Sequence, residues 1–336
     1  MKVLVTGGCG FIGSYFIRTV LAERPDWEVI NLDSLTYAGN LANTIDIQIN
    51  PKYKFVYGSI VDKKLVDELV KSVDMVAHFA AETHVDRSIM DAEPFIMTNI
   101  LGTQRLIEAC VKHGKRMHHV STDEVFGSLE PTAPKFNEQT PYSPRNPYSA
   151  TKAASDHLVR AAIDTHNLQA TISNCTNNYG PFLHPEKFLS ISITNLIDGH
   201  PIFIHGDGRQ VRDWIHAQDH ARGIIAILEQ GKVGETYMMG GDSELSVLDT
   251  AKALLEVMGL TDSMLEYQKD RPGQDRRYAI DHSKINRELG WQPTRTFEDG
   301  LRDMVTWYRR NEAWWRPIRQ SAVYREWFKM QFGRLL

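Results

Sequence analysis

The chain has 336 residues, 42% of them hydrophobic, enough for one large or two modest globular domains with real cores and enough to exclude disorder. Its formal charge of -4 is spread along the sequence rather than gathered in blocks, which excludes an electrostatic nucleic-acid or membrane surface and points to small-molecule partners. Three cysteines without regular spacing, Cys9, Cys110 and Cys175, fit a reducing compartment. The opening Met1-Lys2-Val3-Leu4-Val5-Thr6 is a buried-strand pattern too short for a signal peptide, and no apolar run is long enough to span a bilayer, so the expectation is a soluble, cytoplasmic protein.

Strand-like stretches fall at 3–6, 28–33, 54–57, 75–79 and 118–121, and helical spacing of apolar residues at 15–22, 63–71 and 99–112 lies between them. That alternation predicts an α/β fold, a doubly wound parallel (Rossmann) sheet with right-handed crossovers. Gly7-Gly8-Cys9-Gly10-Phe11-Ile12-Gly13 follows the first strand and opens a helix, the context in which glycines let a pyrophosphate approach backbone N–H groups. Asp33 closes the second strand, placed to accept hydrogen bonds from ribose hydroxyls and to repel a 2′-phosphate, so NAD is favoured over NADP.

The fifth strand runs into Ser121-Thr122-Asp123-Glu124, at the sheet edge where ligands bind in such folds. Five prolines follow (Pro131, Pro134, Pro141, Pro144, Pro147), predicting a semi-rigid loop that walls a cleft. From about 175 the pattern shortens, with helices expected near 186–198 and 247–258. The division expected is a Rossmann domain over 1–175, joined by segments near 205–230, and a smaller, discontinuous α/β substrate domain over most of 176–336. Four of the seven tryptophans lie from Trp307 onward, which predicts a C-terminal helix docked through aromatic faces. Thirteen histidines show no metal-ligand spacing, and adjacent His118 and His119 would point to opposite faces of a strand, so no metal is expected.

Tyr148 and Lys152 are four residues apart, on one face of a helix, where an ammonium favours a phenolate and reaches a ribose hydroxyl. A phenol with an ordinary pKa of about 10 must be shifted down to act as a base near neutrality. Spacing alone is near chance, since about 0.6 such pairs are expected in this composition; the position after a dinucleotide fold gives it weight. Thr122 adds a hydroxyl that could share a substrate oxygen with Tyr148. Asp123 and Glu124 supply two carboxylates beside this redox pair, one for a carboxylic acid and one for a carboxylate if their titrations are driven apart.

The glycine loop with the Tyr148/Lys152 pair resembles the extended short-chain dehydrogenase/reductase superfamily. Val120-Ser121-Thr122-Asp123-Glu124-Val125-Phe126-Gly127 is similar to the signature of the dTDP-glucose 4,6-dehydratases, with Phe126 where Tyr is usual. The resemblance extends through Leu35-Thr36-Tyr37-Ala38-Gly39-Asn40, His78-Phe79-Ala80-Ala81-Glu82-Thr83-His84-Val85-Asp86-Arg87-Ser88, Asn177-Asn178-Tyr179-Gly180-Pro181, Pro185-Glu186-Lys187, Arg212-Asp213-Trp214 and Asp270-Arg271-Pro272-Gly273.

This resemblance implies that Tyr148, assisted by Lys152 and Thr122, takes the C4 hydroxyl proton as C4 is oxidised, that Glu124 removes the C5 proton, and that Asp123 expels the C6 hydroxyl as water. It implies NAD as a retained cofactor held by Gly7, Gly10, Phe11, Ile12, Gly13, Asp33, Thr36, Gly39, Ser59, Ile60, Ala80, Ala81, Thr98, Tyr148 and Lys152. It implies a nucleotide-diphosphate sugar held by Thr83, His84, Asn178, Glu186, Lys187, His205, Arg212, Met238 and Arg271, and a homodimer formed through helices near 99–112 and 149–165. His205, Met238 and Gln274 depart from the pattern near the nucleotide, Ser59 near the adenine, and Asn174 stands where Arg is usual. The leading expectation is an NAD-dependent nucleotide-sugar 4,6-dehydratase acting on dTDP-glucose. The alternatives are a 4-epimerase or uronate decarboxylase, which need no acid at Asp123, and an idle NAD-binding sensor or scaffold, which has no use for two proton-transfer groups.

Overall fold

The computed structural model describes residues 1–269 and 275–333. The chain divides into two units, one of Met1–Asn178, Arg212–Glu244 and Asp275–Thr294, the other of Tyr179–Val211, Leu245–Gln274 and Arg295–Leu336. The chain re-enters the first unit at Arg212, later than the expected 205, because Ile202–His205 forms a parallel pair with Leu265–Gln268 in the second unit. It enters a third time over 275–294, which the sequence did not suggest.

In the first unit β1 (Lys2–Thr6), β2 (Glu28–Asp33), β3 (Tyr53–Tyr57), β4 (Met75–His78), β5 (Arg116–Thr122), β6 (Ala170–Cys175) and the strand Thr236–Met239 form one seven-stranded sheet. From one edge its order is Thr236–Met239, β6, β5, β4, β1, β2, β3, with every pairing parallel. Strand alternation sorts the core into two layers. Val3 and Val5 face a cluster with Phe16, Ile17, Ile224 and Ile227, from the helices Phe11–Glu23 and Ala217–Gln230. Leu4 faces the other way, into a cluster with Val66, Leu106 and Val159, from the helices Lys63–Lys71, Thr103–His113 and Pro147–His166. Progression through β1, β2, β3 runs one way across the sheet and β4, β5, β6 the other. The switch point thus lies between β1 and β4, where an open α/β sheet leaves a crevice at its carboxyl edge.

The helix expected over 99–112 is not uniform. Ile96–Gly102 is π-helical and only Thr103–His113 is α-helical. The cause is tertiary: the Asn99 side chain accepts from Glu82 N at 2.9 Å and donates to Glu82 O at 3.1 Å and Thr151 Oγ1 at 3.0 Å, while Thr103 Oγ1 donates to Asn99 O at 2.6 Å. Such a local widening turns a residue out of helical register. The proline-rich loop is anchored by Phe136, which bridges to Ile280 and packs with Val125, Phe126, Ala153, Met238 and Tyr278.

The second unit is built from the helices Phe188–Ile197, Val247–Met258, Phe297–Arg310, Glu312–Gln320 and Ala322–Phe332 around its two-stranded sheet. Ser246, Thr296 and Ser321 cap three of them, accepting from Asp249 N, Asp299 N and Tyr324 N. The tryptophan-rich tail docks as expected: Trp327, Tyr324 and Phe328 are buried with Ile191 and Phe203.

Candidate active site

β1 runs into Gly7, whose φ of 74° turns the backbone and whose Cβ, if present, would lie 2.7 Å from the Ala80 backbone. A Cβ on Gly13 would lie 2.4 Å from Gly7 O, so the loop closes only with glycine there. Gly10 precedes the helix Phe11–Glu23 with no side-chain cap, which leaves the first-turn N–H groups and the positive end of the helix dipole directed at the crevice. Asp33 at the end of β2 accepts from Cys9 N and Leu35 N, each at 2.8 Å, so its carboxylate is fixed beside this loop. A glycine cradle, an uncapped helix start and a fixed carboxylate fit a dinucleotide. Ala80 and Ala81 follow β4 across the switch point, Thr36 and Gly39 belong to the turn after β2, and Thr98 lies in the π-helical segment. Ile60 is buried, and Ser59 Oγ accepts from Val61 N at 3.1 Å, serving the turn before the helix Lys63–Lys71.

The helix Pro147–His166 starts where it does because Asn146 and Ser149 form a reciprocal capping box around Pro147, whose fixed φ suits the first helical position. This places Tyr148 in the first turn, its N–H donated to Ser88 Oγ at 3.2 Å. Opposite, β5 ends at Thr122, which accepts from Glu124 N at 3.3 Å and starts the short helix Asp123–Phe126. Thr122, Asp123, Glu124 and Tyr148 are thereby brought together: Tyr148 hydrogen-bonds Thr122 and feels the charges of Glu124 and Asp123. Lys152 is on the same helix face, and its Nζ donates to Val120 O at 2.8 Å.

Burial dominates the electrostatics. Asp123 is 2% exposed, and desolvation, then the charge of Glu124, push its carboxyl up to about 8, against a hydrogen bond from Thr176. Both influences favour the protonated form. Burial first, and Glu124 second, hold the Tyr148 phenol well above its ordinary range, and burial lowers Lys152. Behind the site Asp156 accepts from Ser121 Oγ at 2.9 Å, Tyr142 Oη at 2.7 Å and Asn174 Nδ2 at 3.4 Å, with His119 Nε2 3.1 Å from its other oxygen. Against its desolvation, the hydrogen bond and charge of His119, the charge of Lys152 and the hydrogen bond from Tyr142 hold Asp156 below the usual carboxylate range.

Asn174 therefore has a structural explanation that the sequence lacked: it also donates to Thr122 O at 2.9 Å and fixes the strand end that leads into the short helix Asp123–Phe126. Asn178 is polar on both sides, accepting from His220 Nδ1 at 2.9 Å through Oδ1 and donating to Thr176 O at 3.0 Å through Nδ2. Arg212 lies 4.4 Å over the Tyr278 ring and donates to Asp275 O at 3.1 Å. His84 occupies the N-cap position of the helix Val85–Met90 without a side-chain cap bond, next to half-buried Thr83. Glu186, Lys187 and His205 belong to the second unit, where His205 closes its strand with the ring 5.8 Å from Phe332. Arg271 and Gln274 lie outside the described residues. Met238 requires a correction: its side chain is 0% exposed, sealed among Val125, Phe126, Ala153 and Ile280, so it is a core residue and not a lining of the nucleotide site. Asn99 was missed; the available signal was a lone Asn inside an apolar helical run, facing the same side as the catalytic helix.

The family model for GDP-mannose 4,6 dehydratase matches residues 4–304. The dTDP-glucose 4,6-dehydratase of Mycolicibacterium smegmatis is 47% identical over 330 residues, covering 97% of this chain and 99% of that one. A dTDP-glucose 4,6-dehydratase structure from Streptomyces venezuelae with NAD bound superposes with a TM-score of 0.92 at 47% identity, covering 95% of this chain and 100% of that one. The UDP-glucuronic acid 4-epimerase of Bacillus cereus has the same fold, with a TM-score of 0.86 at 29% identity over 92% of this chain and 99% of its own. Fold alone leaves dehydratase and epimerase together; the near-half identity along the whole chain separates them, and the chain belongs to the dTDP-glucose 4,6-dehydratase family.

Proposed function

We propose that this chain converts dTDP-glucose to dTDP-4-keto-6-deoxyglucose and water, with the roles of its residues set by their protonation. It is an NAD-dependent nucleotide-sugar 4,6-dehydratase. Bound NAD supplies a two-electron acceptor at C4 that is returned to its oxidised form when C6 is reduced. Gly7, Gly10, Gly13 and Asp33 hold it, on the strength of the cradle described above. Tyr148 takes the C4 hydroxyl proton, with Thr122 sharing that oxygen. Glu124, half-buried at the same turn, takes the C5 proton made acidic by the C4 ketone. Asp123 gives its proton to the departing C6 hydroxyl. The observation that carries this reading is the carboxyl at Asp123, 2% exposed beside the second carboxylate of Glu124, an environment that pushes its pKa up to about 8 and favours the protonated acid.

Thr83, His84, Asn178, Glu186, Lys187 and Arg212 serve the sugar and diphosphate, with Arg212 suited to a phosphate by its fork of donors. His205 retains a flat ring for a base. Incubation with dTDP-, UDP-, GDP- and CDP-glucose, followed by mass spectrometry, tests the assignment: loss of one water from the dTDP sugar supports it, and a product of unchanged mass refutes it in favour of epimerisation. The chain pairs as a homodimer through the helices Thr103–His113 and Pro147–His166, a reading supported by exposed Ile96 and Met97 beside the first of them and tested by light scattering. It acts in the cytoplasm, in keeping with three free, buried cysteines; among the described residues no helix is long and apolar enough to cross a membrane. Cell fractionation tests this.

A further inference from the structure

β1 lies between β2 and β4 in the sheet, so any contact joining the turn after β2 to the helix after β4 must cross the edge where β1 runs into the glycine loop. One such contact exists: the Arg87 guanidinium, on the helix Val85–Met90, sits 4.1 Å over the ring of Tyr37, in the turn after β2. We infer that Arg87 and Tyr37 form a strap that closes over the dinucleotide site and slows cofactor exchange.

The turn is built to present Tyr37. Leu35 takes a left-handed conformation, φ 52°, and donates its N–H to Asp33 Oδ1, which bends the chain immediately after the ribose-facing carboxylate. On the far side Gly39 N donates to Thr36 O at 3.0 Å, Asn40 N to Cys9 O at 3.0 Å and Asn43 Nδ2 to the same oxygen at 2.8 Å. Both ends of the turn are therefore tied to the cofactor loop and its carboxylate, with Tyr37 at the apex. Arg87 is equally well anchored: its neighbour Ser88 accepts the Tyr148 N–H, and its positive charge offsets the burial of Glu82. Both partners are half-buried, where a cation–π contact is stronger than on an open surface. The strap rests on the reading that the cofactor is recycled within each turnover. Such an enzyme gains nothing from exchange and would lose its intermediate by release midway.

The test uses holoenzyme loaded with labelled NAD, mixed with excess unlabelled NAD, with label retained on the protein followed over time. Tyr37→Leu and Arg87→Met should each speed exchange about 3- to 30-fold, the double variant no more than the faster single, and Tyr37→Phe should stay within about twofold of the unaltered chain because the ring is kept. Exchange at the unaltered rate in both single variants overturns the strap, as do effects that multiply in the double variant. A merely structural role would lower the melting midpoint of the NAD-free variants and make Tyr37→Phe exchange like Tyr37→Leu; that pattern also overturns it. Variants that exchange normally yet still hold NAD and eliminate water sink the strap and leave the proposed function standing, whereas an unaltered chain that holds no NAD sinks both.

Discussion

Replacing Asp123 by Asn removes an ionisation while keeping the shape of the side chain, and so separates what burial of this carboxyl costs from what it does. Folding raises its pKa from 3.8 to about 8, mainly by desolvation. A carboxyl raised in this way is bound to its proton more tightly in the folded chain than in the unfolded one. Its contribution to stability is therefore fully present below about pH 4, falls as pH rises, and is exhausted above about pH 8. At pH 7 the deficit spans about three units at 1.36 kcal/mol each, on the order of 4 kcal/mol before relaxation of the pocket reduces it. Asp123→Asn has no such deficit, because its amide is neutral at every pH.

The expected result is a variant more stable than the unaltered chain by about 2–4 kcal/mol at pH 7, with the difference shrinking toward zero near pH 4. Urea unfolding of the NAD-free protein across that range measures it. The same variant should lose about 10²- to 10⁴-fold in water elimination, since the proton for the C6 hydroxyl is gone, while absorbance of reduced cofactor on mixing with substrate is retained. In the unaltered enzyme, elimination should fall as pH climbs through about 8. A stability difference that does not vary with pH would show that Asp123 is ionised in the folded chain and would refute the assignment of the acid.

Gly13→Ala puts a Cβ 2.4 Å from Gly7 O, and the shift it forces in the glycine loop should weaken NAD retention about 5- to 100-fold, read as cofactor bound after gel filtration. Asn174→Leu removes a donor from both Thr122 O and Asp156, and should cost about 1–3 kcal/mol in urea unfolding. Met238→Ala should cost about 2–5 kcal/mol of stability by opening a cavity, with the Michaelis constant for the nucleotide sugar within about twofold. A raised Michaelis constant with unaltered stability would return Met238 to the nucleotide site.

Legibility in the sequence followed the range of the forces involved. The strand, glycine loop and helix from Lys2 to Glu23 are fixed by neighbours in the chain, and alternation along β1 already divides Leu4 from Val3 and Val5. The spacing of Tyr148 and Lys152 is also local, and it placed both on one helix face. The direction of the Lys152 ammonium is not local: it turns to Val120 O, on a strand more than thirty residues earlier. Asn99 is the clearer case, because a periodic apolar run predicts a continuous α-helix, and only bonds to Glu82 and Thr151 reveal why it opens into a π-helical segment. Asn174 had no reading because its partners, Thr122 and Asp156, are distant in the chain. Met238 was drawn to the nucleotide by resemblance; its strand parity and the return of residues 275–281 bury it instead.

One physical cause acts on the three groups proposed as the acid, the base and its assistant. Burial is the largest influence on Asp123, Tyr148 and Lys152, raising the first two and lowering the third, so each is biased toward its neutral form. Glu124 reinforces this for both Asp123 and Tyr148 by adding negative charge beside them. On the roles proposed above, that bias is the working state of the acid, since Asp123 would hold the proton that elimination consumes, whereas the Tyr148 phenol would need its pKa lowered before it could act as a base.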